Sequence, residues 1–104
     1  MKTTLAVDVR HTVDEKGAKA ASAGSWAVGR SPIKYHAERI VAHDAGTKLE
    51  EFVSKSGGFV NSRVENDKRI FDSDDMVKAT KAEWPDDMTP LVGTGRSSRV
   101  RWLD

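Results

Sequence analysis

The sequence predicts an α+β domain: a small antiparallel or mixed sheet of about five strands, with two or three helices packed on one face. Three observations carry that expectation. Several short stretches alternate apolar and polar residues, the period-2 signature of half-buried strands. Between them lie stretches whose apolar residues recur at helical spacing. The chain has 104 residues, 38% hydrophobic and 32% charged, enough for one modest core, so residues 1–104 are expected to form a single domain.

Taken in order, Leu5, Val7, Val9, His11 and Val13 occupy odd positions between Thr4, Asp8, Arg10 and Thr12, which predicts a strand from Thr3 to Val13. Residues 14–24 are small, polar and Gly-containing and read as a flexible loop. Ser25 to Arg30 alternates again, with Trp26 and Val28 on one face, completing a long-looped hairpin. Ser31-Pro32 is a helix-start pair, because Ser caps free N–H groups and Pro is preset for the first turn. Ile33, Ala37, Ile40 and Val41 follow at i, i+4, i+7 and i+8, and Gly46 supplies a stop. Thr47-Lys48-Leu49-Glu50 matches a capping box, with Leu49, Phe52 and Val53 as its apolar face and Gly57-Gly58 as its end. One bent helix over residues 33–56 satisfies the same pattern.

Phe59 to Val64 and Lys68 to Phe71 read as a second hairpin, turned at Glu65-Asn66-Asp67. Asp72-Ser73-Asp74-Asp75 opens a third helix with acids in its first turn, Met76, Val77, Thr80 and Trp84 facing inward, and Pro85 ending it. After a Pro/Gly/Asp/Ser-rich connector over residues 85–97, Ser98, Val100 and Trp102 alternate with Arg99, Arg101 and Leu103 in a last strand. The expected order is β-β-α-α-β-β-α-β. A single core is expected from Leu5, Val7, Val9, Trp26, Val28, Ile40, Phe52, Val53, Val77, Trp84 and Val100.

Charge and composition narrow the function classes. Lys and Arg number 17 against 16 Asp and Glu, a formal charge of +1, so any basic site must be local rather than global. The absence of cysteine removes disulfides, thiolate zinc sites and Cys nucleophiles, and suits a reducing compartment. No signal-peptide core or apolar run of about 20 residues is present, which predicts a soluble, cytoplasmic protein without a membrane partner.

Tyr35-His36-Ala37-Glu38, placed by this reading at the start of a helix after a hairpin, is the sharpest short motif. His-x-Glu there resembles the first half of the zinc-dependent nucleobase deaminase signature, in which His binds the metal and Glu moves protons. The second half, Pro-Cys-x-x-Cys, has no counterpart in a chain without cysteine. His36 and His43, seven apart on a helix, would stand about 10 Å apart along its axis, too far to share one ion; His11 would lie on a strand. Asp72, Asp74, Asp75, Asp86 and Asp87 form a carboxylate-rich stretch without the spacing of a calcium loop. No metal or other cofactor is expected.

The densest basic stretch is Arg96, Arg99 and Arg101, beside Trp102 and after Gly93-Thr94-Gly95, with Arg30 and Lys34 as upstream helpers. Alternation projects Arg99 and Arg101 together, about 7 Å apart, where they suit phosphates or carboxylates. An exposed Trp102 could stack on a base; the alternative places Val100 and Trp102 in the core. The expectation is a non-enzymatic binding or regulatory module that covers a protein partner's surface, as small proteins of phages and mobile elements do; a homodimer is compatible with it. The alternatives are a nucleic-acid-binding module using the basic C-terminal strand, and an enzyme built around His36 and Glu38.

Overall fold

The computed structural model describes residues 2–24, 26, 35–93 and 99–103. Among these residues, seven strands, β1 (Lys2–Asp8), β2 (Tyr35–Asp44), β3 (Thr47–Ser54), β4 (Arg63–Glu65), β5 (Lys68–Ile70), β6 (Met76–Lys78) and β7 (Val100–Trp102), accompany helices α1 (Val13–Ser22) and α2 (Thr89–Val92). Five strands form a mixed sheet in the order β6-β3-β2-β1-β7, and β4-β5 make a separate hairpin. A mixed five-stranded sheet with few helices makes the class α+β or mostly β, and the order of elements differs from the expected one.

The largest difference lies in residues 35–54, which form two long antiparallel strands instead of helices. Ile40, Val41 and Ala42 are all fully buried, so β2 shows a continuous apolar run, as a strand covered on both faces must. The same run also satisfies helical spacing. Gly46 explains the second misreading, because a helix stop and a tight hairpin turn both need a left-handed residue. Here Ala45 (φ 48°) and Gly46 (φ 99°) make the two-residue turn between Asp44 and Thr47. The apparent capping box at Thr47 to Glu50 is therefore the first half of a strand.

β1 ends at Asp8 and runs parallel to β2, with Leu5 opposite Ile40 and Asp8 opposite His43. Parallel neighbours need a crossover connection, and part of it is α1, formed where a loop was expected. The helix-forming residues Ala18, Ala20 and Ala21 offset Gly17, which leaves the helical region (φ 79°, ψ 162°) and kinks the element. Residues 25 and 27–34, carrying the rest of the expected second strand and the Ser31-Pro32 helix start, lie outside the described residues; Trp26 bridges Arg69. The second hairpin forms but is shorter than expected: its first arm starts at Arg63 and not at Phe59, which stands at positive φ before a turn, and it turns at Asn66 and Asp67, both at positive φ.

The expected third helix stops after one 3-10 turn, Ser73–Asp75. Asp72 caps that turn, accepting from the Asp74 N–H at 3.0 Å. Pairing with β3 then takes over, Val77 opposite Val53 and Met76 opposite Ser54.

The single expected core is two clusters, one on each face of the sheet. On the first face Leu5, Val7, Val9, Ile40 and Phe52 meet Trp26, Phe59, Phe71 and Met76 under α1, with Val100 and Trp102 packed at the side. On the second, Ala6 and Val41 are covered by Met88, Val92, Trp84, Leu91 and Leu103. The two helices thus lie on opposite faces, a correction to the expected one-sided layer. Val53 is half-buried and Val77 is 39% exposed, so neither completes a core; Val28 lies outside the described residues.

Candidate functional site

The second face is where polar groups gather. Across it, Thr4 of β1 pairs with Arg39 of β2 and Arg39 with Val53 of β3, while Val41 stands opposite Glu51. Glu51 is 4% exposed, which a lone carboxylate would not tolerate. Its two oxygens accept four hydrogen bonds: Arg39 Nη1 at 2.6 Å, the Glu83 N–H at 3.1 Å, Lys48 Nζ at 2.9 Å and the Trp84 N–H at 3.0 Å. Burial alone would raise its pKa; the Lys48 ammonium and the two backbone donors overcome that and hold the carboxyl below its usual value.

Each cation is tied a second time. Arg39 Nη2 reaches Glu83 at 3.1 Å, and Lys48 donates to the Trp84 carbonyl at 2.6 Å. The network thereby fastens the irregular segment 81–86 onto β2 and β3. Buried ion pairs often add little net stability, but they fix one arrangement among several when every partner is satisfied. Trp84 Nε1 is buried and makes no hydrogen bond among the described residues.

Beside this network lies a cavity of about 400 Å³ lined by Thr4, Glu38, Arg39, Val53, Ser54, Gly57 and Glu83. Its far wall is the loop after β3, pinned by a second buried acid. Asp75 accepts from Ser54 Oγ at 2.8 Å, Ser56 Oγ at 2.6 Å and the Ser56 N–H at 2.8 Å. Burial would raise the Asp75 pKa, and the serine hydroxyl and backbone donors bring it below the ordinary range instead. Ser54 Oγ in turn accepts from the Phe59 N–H at 2.9 Å, so the loop carrying Gly57 is held from both ends.

A third polar group sits at the carboxyl end of the parallel pair. Asp8 is 4% exposed, with Arg10 at 2.9 Å and the Ala45 N–H at 3.4 Å on its oxygens. Beside it His43, also 4% exposed, accepts the Gly46 N–H at Nδ1, 3.0 Å away. Burial lowers the His43 pKa, with Arg10 adding to the effect and Asp8 and Asp44 opposing it. With Nδ1 accepting from the Gly46 N–H, the neutral ring carries its proton on Nε2.

The sequence-derived candidates fare unevenly. Arg99, in the bend just before β7, and Arg101, on β7, are both exposed; Arg101 donates to the Leu91 carbonyl at 3.0 Å, and the Arg99 carbonyl accepts from the Asp8 N–H. Trp102 is half-buried opposite Leu5 and packs against the first-face core. Arg96, Arg30 and Lys34 lie outside the described residues. The backbone of His36 lies in β2, on a strand and not on the helix that the His-x-Glu motif requires, and its side chain lies outside the described residues. Glu38 stands exposed at the cavity mouth. His11 is exposed in the turn after β1. The aspartates do not converge as a carboxylate site: Asp75 turns inward to serines, Asp72 caps, and Asp87 holds the Thr89 N–H and hydroxyl. Among the described residues no group of three or more His, Cys, Asp or Glu could hold a metal ion, and no helix is long and apolar enough to cross a membrane.

The Arg39–Glu51–Lys48 network is hidden in the sequence because the apolar residues of 33–56 also fit helical spacing. Had the strand been read, Arg39, Val41 and His43 would share one face, a sign of a polar site on a covered sheet. No protein family, curated protein or solved structure matches this chain.

Proposed function

We propose that the domain is a non-enzymatic binding or regulatory module that covers a surface of a protein partner, and that it does so with the open half of the sheet's second face. The observation that carries this reading is the uneven cover of that face. Ala6 and Val41 lie beneath Trp84, Leu91 and Val92, while the other half holds an open cavity with half-buried Val53 beside partly exposed Val77. The walls around the cavity are fixed by internal hydrogen bonds, and a pre-organised surface loses less freedom on binding. Arg39 and Glu51 are spent on each other and on backbone groups, an arrangement suited to holding shape rather than to moving protons.

The nucleic-acid reading rests on two exposed arginines, Arg99 just before β7 and Arg101 on it. With Trp102 packed against the core, that stretch offers phosphates two guanidiniums and a partly covered ring. One capture experiment separates the readings. Tagged protein is used to capture partners from its host, with and without nuclease, and the products are identified by mass spectrometry. The expected result is a protein retained after nuclease and lost on Val77→Asp. Capture that disappears with nuclease and with Arg99→Ala/Arg101→Ala would overturn the proposal in favour of nucleic acid.

A further inference from the structure

Resting on that reading, we infer that the cavity receives a lysine or arginine side chain projecting from the protein partner. The lining holds two carboxylates, Glu38 and Glu83, against one guanidinium, Arg39. That guanidinium is already engaged: Nη1 reaches Glu51 at 2.6 Å and the Lys81 carbonyl at 3.5 Å, and Nη2 reaches Glu83 at 3.1 Å. An anion entering the cavity would have to displace these bonds while facing Glu38 and Glu83. Among the described residues Glu38 makes no hydrogen bond or ion pair, and Glu83 is engaged through only one oxygen, its side chain 60% exposed. Free acceptors therefore stand at the mouth, and no free cation answers them from the lining.

The shape agrees with the charge. A volume of about 400 Å³ is near the lower bound for small-ligand pockets, room for one long side chain rather than a folded segment. Val53 and the bare backbone at Gly57 give an aliphatic stem something to lie on, while the ionised head stays near water and the two carboxylates; long basic side chains favour that division. Val53 is the one large apolar side chain in the lining, so a purely apolar occupant would find polar walls on most sides. Gly57 is at φ 84° with nothing within 4 Å of the position a Cβ would take, so open space, not close packing, lies beside it.

The test uses the intact protein, isotope-labelled, and three blocked peptides that differ at one central residue: Ala-Ala-Arg-Ala-Ala, its Gln counterpart and its Glu counterpart. The expected result is saturable amide shifts at Glu38, Arg39, Val53, Gly57 and Glu83 with the Arg peptide, at least tenfold weaker with Gln and absent with Glu. Glu38→Gln/Glu83→Gln, which keeps shape and acceptor oxygens, is expected to weaken the Arg peptide tenfold or more; Lys16→Gln on α1 should leave it unchanged. Equal shifts from the Arg and Gln peptides would overturn the cation assignment while leaving the binding face in place. Arg-peptide shifts that map away from the cavity, or survive Glu38→Gln/Glu83→Gln, overturn it too. Self-association of the protein alone, lost on Val77→Asp, would assign the face to a second copy of this chain and end the inference.

Discussion

The two faces of the sheet solve burial by different means. On the first, Leu5, Val7, Ile40 and Phe52 pack against aromatic side chains, with Phe59 and Phe71 edge to face at 5.1 Å between ring centroids. On the second, apolar cover reaches only Ala6 and Val41, and the rest is held by Glu51 and its two cations. Apolar packing is non-directional and tolerant of small shifts. A carboxylate with four donors holds only while every donor stays within hydrogen-bond reach. The first face supplies stability; the second gives the molecule a fixed shape around a cavity.

The sharpest way to break this contrast is to delete one centre on each side. Phe52→Ala should cost about 3–5 kcal/mol in denaturant unfolding, the range for removing a buried aromatic side chain. A loss near zero would show that the first face is not the main core. On the second face Glu51→Ala should cost about 3 kcal/mol, because it strands Arg39 and Lys48 in partly buried positions. Replacing Arg39, Lys48 and Glu51 together by Met should recover most of that loss, yet alter amide shifts around the cavity. If the triple variant is as unstable as Glu51→Ala, the network contributes real stability and not only shape.

A smaller effect is expected from pH. His43 is held below the usual imidazole value of 6.5, so the folded state resists a proton that the unfolded chain accepts. Stability should be level above pH 6.5, fall as pH drops below it, and level off again beneath the folded-state value. Glu51 and Asp75 act lower: their contribution is present above the unfolded values of 4.5 and 3.8, and is lost as pH falls through their depressed folded values. His43→Asn, which keeps an acceptor near Gly46, should flatten the step just below 6.5 in a pH series of urea midpoints. The smallest expected change is at and just before β7, where Arg99→Ala/Arg101→Ala should shift stability by no more than about half a kcal/mol per site. A larger loss would mean that the Arg101 bond to the Leu91 carbonyl helps hold the cover over Ala6 and Val41.

What the sequence disclosed follows from how redundant each signal was. β7 and the core of the 63–70 hairpin were legible because alternation and turn residues agreed with each other, whereas the alternation expected to run from Thr3 to Val13 is a strand only as far as Asp8, and Val13 begins α1. Residues 35–54 were not, since Ile40-Val41 fits a helical stripe and a doubly buried strand alike, and Gly46 serves either a stop or a turn. At Asp72 the start of a helical turn was legible and its length was not: only pairing with β3, contributed by residues earlier in the chain, decides that Met76 continues as a strand. The cavity residues come from β1, β2, β3, the following loop and the segment before Pro85, so no local motif could have gathered them. Glu38 was noticed, but for a helix it does not occupy.

The place of β1 between β2 and β7 also governs how the chain must assemble. Leu5, near the beginning, faces Trp102, near the end, and β7 follows every other strand in the sequence. Pairings of such long separation slow folding, because the loop between the partners must be ordered before the contact rewards it. During that interval β1 presents an unpaired edge beside Leu5 and Val7, open to a strand from another molecule. In the finished sheet the three residues of β7 cover that edge of β1, leaving only their own short edge in its place.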